Sequence, residues 1–99
     1  MLRLLLNFFF PSRFIFPDGS RVDYFIRDDS LQYSATTPRK DVVVIPLLYN
    51  SETDKSWIDP AFTWKWQSNG TPLIAEEKNE LIKKINLFMK RRPREFESL

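Results

Sequence analysis

Hydrophobic and polar residues alternate in short runs over the first two-thirds of the chain, then switch to helical spacing. The apolar stretch Arg13–Phe16 runs into Pro17-Asp18-Gly19-Ser20. Proline fixes φ there, and the glycine of Asp-Gly accepts positive φ. Arg21–Arg27 then alternates, with Val22, Tyr24 and Ile26 on one face and Asp23 and Phe25 on the other. This pattern predicts a β-hairpin turning at residues 17–20. Asp28-Asp29-Ser30 reads as the next turn, and Leu31–Thr36 alternates again with Leu31, Tyr33 and Ala35 on one side. After the polar turn Thr37-Pro38-Arg39-Lys40, residues Val42–Leu48 are apolar throughout. Such a run predicts a strand covered on both faces, with Pro46 putting its far end at an edge or a bulge.

Asn50–Pro60 is the longest polar stretch and predicts a surface loop or short helical turn, with Trp57 and Ile58 tucked inward. Phe62, Trp64 and Trp66 alternate with Thr63, Lys65 and Gln67, which predicts a further strand before the turn Ser68-Asn69-Gly70. Beyond Thr71-Pro72 the period changes. Leu81, Ile82, Ile85, Phe88 and Met89 form one helical stripe, while Glu76 and Glu77 come early and Lys90 late, as the helix dipole favours. Glu80 and Lys84 have the spacing of an i,i+4 ion pair, and Pro93 stops the helix. The expected fold is α+β: an antiparallel β-meander of about five or six strands packed on one C-terminal amphipathic helix. As one domain over 1–99, it divides into an apolar N-terminal strand or arm (1–12), the meander (13–67), the helix (72–92) and a frayed tail (93–99).

Composition narrows the chemistry. The 99 residues include no cysteine and no histidine. Disulfides, thiol nucleophiles and cysteine metal sites are excluded, and the usual neutral-pH base and commonest zinc ligand are missing. With two glycines, Gly19 and Gly70, no glycine-rich phosphate loop can be built. A Ser–Lys dyad has no spacing to support it. The adjacent Asp28 and Asp29 read as a solvated turn, and Glu52 with Lys55 lacks the acid-x-Lys spacing of a nuclease. The chain is therefore expected to be no enzyme and to use no cofactor or metal. Met1–Phe10 is too short to span a membrane and lacks a small-residue cleavage site, so it reads as a buried first strand or core-packing arm, with no membrane partner expected.

Net charge is +2, and the excess lies late, where Lys90, Arg91, Arg92 and Arg94 cluster. Two recognition surfaces offer themselves. The stretch Asn50–Pro60 carries Glu52, Asp54 and Asp59 around Trp57, and the Asp28-Asp29 turn adds two acids. Acidic loops with an aromatic anchor suit a basic protein partner. Alternatively, Trp64 and Trp66 with Lys65 and the basic C-terminus could bind nucleic acid by stacking and phosphate contact. The same aromatics serve equally as core, and the same cations as a helix end.

The order Phe16-Pro17-Asp18-Gly19-Ser20-Arg21-Val22, then Tyr24, Tyr33, Trp57, Pro60 and Trp64, continues to Gly70-Thr71-Pro72-Leu73-Ile74, Glu76-Glu77 and Ile82–Ile85. Over residues 13–90 it resembles small bacterial immunity proteins of polymorphic and contact-dependent growth inhibition systems. Ile74 stands where many members of that group have Ser or Thr. The resemblance implies a cytoplasmic inhibitor that binds a cognate toxin domain, such as a nuclease, and blocks its active site or substrate access. Asp28, Asp29, Glu52, Asp54, Trp57 and Asp59 would then contact the toxin.

Overall fold

The computed structural model describes residues 12–36 and 40–97. The expected N-terminal strand or arm, apart from Ser12, and most of the Thr37–Lys40 turn lie outside the described residues. Strands β1 (Ser12–Ile15), β2 (Arg21–Phe25), β3 (Ser30–Ala35), β4 (Asp41–Asn50) and β5 (Lys55–Ile58) precede one helix, α1 (Ala75–Lys90). Each strand pairs antiparallel with the next, in the order β1-β2-β3-β4-β5, and the sheet curls into a half-barrel. The expected α+β meander is present, with five strands.

The first hairpin forms where turn chemistry placed it. Gly19 takes φ 87, its N–H donates to the Phe16 carbonyl (2.9 Å), and Asp18 Oδ1 accepts from the Ser20 N–H (2.9 Å). Alternation then decides which side chains meet. Val22 and Tyr24 on β2, Leu31 and Tyr33 on β3, and Val43, Ile45 and Leu47 on β4 are buried on the concave face. Leu81, Ile85, Phe88 and Met89 on α1 belong to the same core, while Ile82 is only half-buried. Removing such side chains from water stabilises by roughly 1.5–3 kcal/mol each, the main favourable term in a chain of this size.

Several expectations change. β4 is not covered on both faces: Val44, Pro46 and Leu48 are exposed while Val43, Ile45 and Leu47 are buried. β4 also changes partner along its length, pairing with β3 up to Pro46 and with β5 from Leu47. Pro46 therefore marks that changeover, and the Leu47 N–H donates across it to the Asp29 carbonyl (2.8 Å). The polar stretch after Asn50 is a turn and then strand β5, because Ser56 and Ile58 alternate inward.

Residues 62–67 form no strand. Only Lys65 bridges to Pro72, and the segment folds back on itself through Trp66 N–H to the Thr71 carbonyl (2.9 Å) and Leu73 N–H to the Trp64 carbonyl (3.0 Å). Asp41 holds it against β4 by accepting from Ser68 Oγ (2.6 Å). The helix spans 75–90 rather than 72–92. Ile74 offers no capping oxygen, so Glu77 reaches back to accept the Ile74 N–H (3.0 Å), half of a capping box. Residues 94–97, expected as part of a frayed tail, are held in place. Phe96 is buried, with its ring 4.9 Å from that of Tyr24 and 5.8 Å from that of Phe88. Glu95 carbonyl and Glu97 N–H bond Ser56 on β5 (2.8 and 3.0 Å), so residues 95–97 run along β5 as a short parallel addition. Anchoring one large aromatic outweighs the entropy of ordering the few residues that carry it.

Candidate functional site

The six residues singled out from the sequence divide by position. The β2–β3 turn (26–29) and the β4–β5 turn (51–54) lie at the same end of the sheet, because Phe25, Ser30, Asn50 and Lys55 all sit at the strand ends there. This brings Asp28, Asp29, Glu52 and Asp54 to one edge. Asp59 follows the far end of β5, where its Oδ1 accepts from the Ala61 N–H (2.9 Å), so it forms a local turn away from the others.

Within the shared edge the acids differ in role. Asp29 and Asp54 take φ 49 and 56, the left-handed region that aspartate tolerates better than most residues. Asp29 Oδ1 accepts from Ser56 Oγ (3.2 Å), which ties the two turns together. Asp54 Oδ1 accepts from Tyr49 OH (2.5 Å). These two carboxylates shape the turns. Asp28 and Glu52 are exposed, and among the described residues neither carboxylate has a hydrogen-bond or ionic partner.

Trp57 supplies the link to a surface that the sequence concealed. It lies directly opposite Leu48 on the convex face of the sheet and is half-buried rather than tucked inward. Leu48 (39 % exposed), Val44 (38 %) and Phe25 (42 %) occupy the same face. Register puts Phe25 beside Ser30 and Ser30 beside Pro46, between Val44 and Leu48. Directly opposite residues have Cβ atoms about 4.5–5.5 Å apart, so Leu48 meets Trp57, while Pro46 and Ser30 lie between them and Phe25 on this one face. Its outer border is the Asp28 and Glu52 turns. Toward β1 it gives way to an ionic row in which buried Asp23 accepts from Arg13 Nε (2.5 Å) and Arg21 Nε (3.0 Å). Phe25 could be found from its alternation with Tyr24, whereas the unbroken apolar run of β4 hid which of its residues face water.

A second polar cluster lies on the concave side. Lys84 does not pair with Glu80. Its ammonium donates to Asp18 Oδ2 (2.5 Å), Ser20 Oγ (2.8 Å) and Tyr33 OH (3.3 Å), using all three protons. Ser20 Oγ in turn donates to Asp18 Oδ1 (2.6 Å). The Ser–Lys proximity that spacing could not reveal is thus real, but its chemistry is not that of a dyad. Burial pulls the Lys84 pKa down, yet its hydrogen bonds to Asp18 and Tyr33 prevail and hold it above the ordinary lysine value. The Lys84 and Ser20 hydrogen bonds bring the Asp18 carboxyl down to about 2. A lysine held as ammonium takes no proton from serine. The cluster clamps the first hairpin turn to the middle of α1.

Trp66 is buried (5 % exposed) with its Nε1 near Glu77 Oε1 (3.4 Å), and Phe62 and Trp64 pack on each other at 4.9 Å. The row of aromatics that could have stacked bases belongs instead to the core and its margin. Among the described residues no group of three or more acids could hold a metal ion, and no helix is long and apolar enough to cross a membrane. Compared with protein-family models, with curated proteins and with solved structures, the chain matches none.

Proposed function

We propose that this protein is a cytoplasmic immunity protein that neutralises a cognate bacterial toxin domain by binding it, making and breaking no bonds itself. The observation that carries this reading is the convex patch of Phe25, Val44, Leu48 and Trp57 bordered by the exposed acids Asp28 and Glu52. An apolar centre with an aromatic anchor and a charged border is the usual anatomy of a protein–protein interface. The acids fit a partner whose surface is basic, as the substrate-binding face of a nuclease is, and would speed its capture. The overall charge of +2 does not oppose this, since complementarity is local and the cations concentrate elsewhere. No cofactor is needed for such an action.

Co-expression with the C-terminal domain of a toxin encoded immediately upstream tests the proposal. Growth should be rescued by the native chain and lost with Leu48→Asp or Trp57→Ala, while both variants stay folded by circular dichroism. Failure of the native chain to counter that toxin, or full rescue by both variants, would remove the assignment.

A further inference from the structure

A cavity of about 500 Å³ lies between β1 and the C-terminal end of α1. Arg13, Arg91, Arg92 and Arg94 are among the residues that line it, with Phe14 and Phe88; the Arg13 guanidinium itself is held by Asp23 on the other face of β1. We infer that this cavity binds a phosphorylated small molecule of nucleotide size, a role independent of the convex patch and of the toxin-binding reading.

The argument begins with charge. Cations near a helix C-terminus are favourable, and Lys90 in the last turn already answers that need. Arg91, Arg92 and Arg94 around the same cavity exceed it, and like charges so placed repel one another. Among the described residues two carboxylates answer the arginines of the lining. Asp23 bonds Arg13 and is shared with Arg21, and Glu95 bonds Arg92 Nη1 (2.9 Å). Among the described residues Arg91 and Arg94 have no carboxylate partner. An anion in the cavity would relieve the repulsion.

Pre-organisation comes next. The Arg91 guanidinium lies 4.5 Å from the centre of the Phe14 ring, and that of Arg92 lies 5.2 Å from the Phe88 ring. Arg92 Nη1 also donates to buried Ser12 (3.0 Å). The Arg91 and Arg92 forks are thus held in place before any ligand arrives, with N–H donors to spare. Forks of this kind match phosphate oxygens bidentately and retain their charge at all physiological pH. The volume falls in the range of small-molecule pockets, about 300–1,000 Å³, and exceeds what a lone phosphate fills. The outer faces of the guanidinium groups stacked on Phe14 and Phe88 suit a ligand with a flat organic part.

Titration of the full chain with ATP, inorganic pyrophosphate and uncharged adenosine, followed by calorimetry and by amide shifts, tests the inference. ATP should give a one-site isotherm, pyrophosphate should bind more weakly at the same amides, and adenosine should not bind measurably. Replacing both Arg91 and Arg94 by Ala should weaken ATP on the order of tenfold or more, as loss of charge-assisted bonds does. Replacing exposed Lys78 and Lys83 by Ala removes the same charge and should change affinity less than about twofold, since surface charges away from a site are screened. No saturable binding of ATP or pyrophosphate at low salt, or equal loss in the two double variants, would overturn the inference. So would preference for a single-stranded oligonucleotide over ATP, which would mark an extended backbone contact instead.

Discussion

Val43, Ile45 and Leu47 share one strand with Val44 and Leu48, yet the first three are almost inaccessible and the other two more than a third exposed. The residue types are alike, and the difference lies only in which way each Cβ points from the pleat. On the concave side α1 and the 62–74 segment supply apolar partners, and burial there builds the protein. On the convex side the described residues offer no comparable layer, and there the same hydrophobicity is left more than a third open. Apolar residues exposed together on one face are what a docking surface needs.

Core substitutions should separate the two faces most sharply. Ile45→Ala removes a side chain with no exposed surface, and unfolding free energy should fall by roughly 2–5 kcal/mol in urea titrations. Phe88→Ala, beneath the same sheet, should cost about 3–5 kcal/mol. A loss under about 1 kcal/mol at either position would mean that the concave face is not the core.

Phe96→Ala comes next, at roughly 2–4 kcal/mol, because the ring is buried but its backbone is held by a single bridge to β5 rather than by a full strand or helix. It should also increase amide exchange at Ser56, whose N–H and carbonyl bond residues 95 and 97. This position shows where sequence reading stops. The hairpin at Gly19, the alternation of β2 and β3 and the stripe of α1 were legible because each is set by neighbours three or four residues away. The docking of Phe96 on Tyr24 depends on a contact 72 positions distant, and no local pattern announces it. Lys84 teaches the same lesson. Its helical spacing pointed to Glu80, worth only a few tenths of a kcal/mol on a surface. The sheet instead presented Asp18, Ser20 and Tyr33, 66, 64 and 51 positions away. For the candidate site, the acids and Trp57 were legible as a group of residue types. The apolar patch joining them was not, because β4 is hydrophobic on both faces and only the pairing of Leu48 with Trp57 reveals its outward side.

The clamp on the concave side makes a smaller, pH-dependent prediction. Asp18 is held at about 2 against an ordinary 3.8, so its contribution to stability is present above about pH 4 and disappears as pH falls towards 2. Lys84 is raised, so its contribution is complete below the ordinary lysine value and is lost as pH climbs through the higher folded value. Stability measured against pH should therefore fall at both ends. Asp18→Asn should remove much of the acid limb, and Lys84→Met the alkaline limb. An acid limb unchanged in Asp18→Asn would show that other carboxylates govern it. Asp18 is largely open to water, so the effect belongs below those of the core substitutions.

The smallest expected change in stability falls on the convex patch, and there its smallness is the point. Leu48→Ala removes a side chain that is 39 % exposed, and Val44→Thr keeps shape while adding a hydroxyl that water can satisfy. Surface changes of this kind usually stay within about 0.5 kcal/mol. If the patch seats a toxin domain, the same substitutions should weaken that complex about tenfold or more, because truncating an interface anchor forfeits burial that only the partner supplies. Charge reversal at Asp28 and Glu52 should act differently, lowering the association rate and its dependence on salt more than it raises the dissociation rate. Measured together by stopped-flow association and denaturant titration, these variants place binding and folding on opposite faces of one strand. Equal losses of stability and affinity at Leu48 would return that residue to the core and leave the convex face without a role.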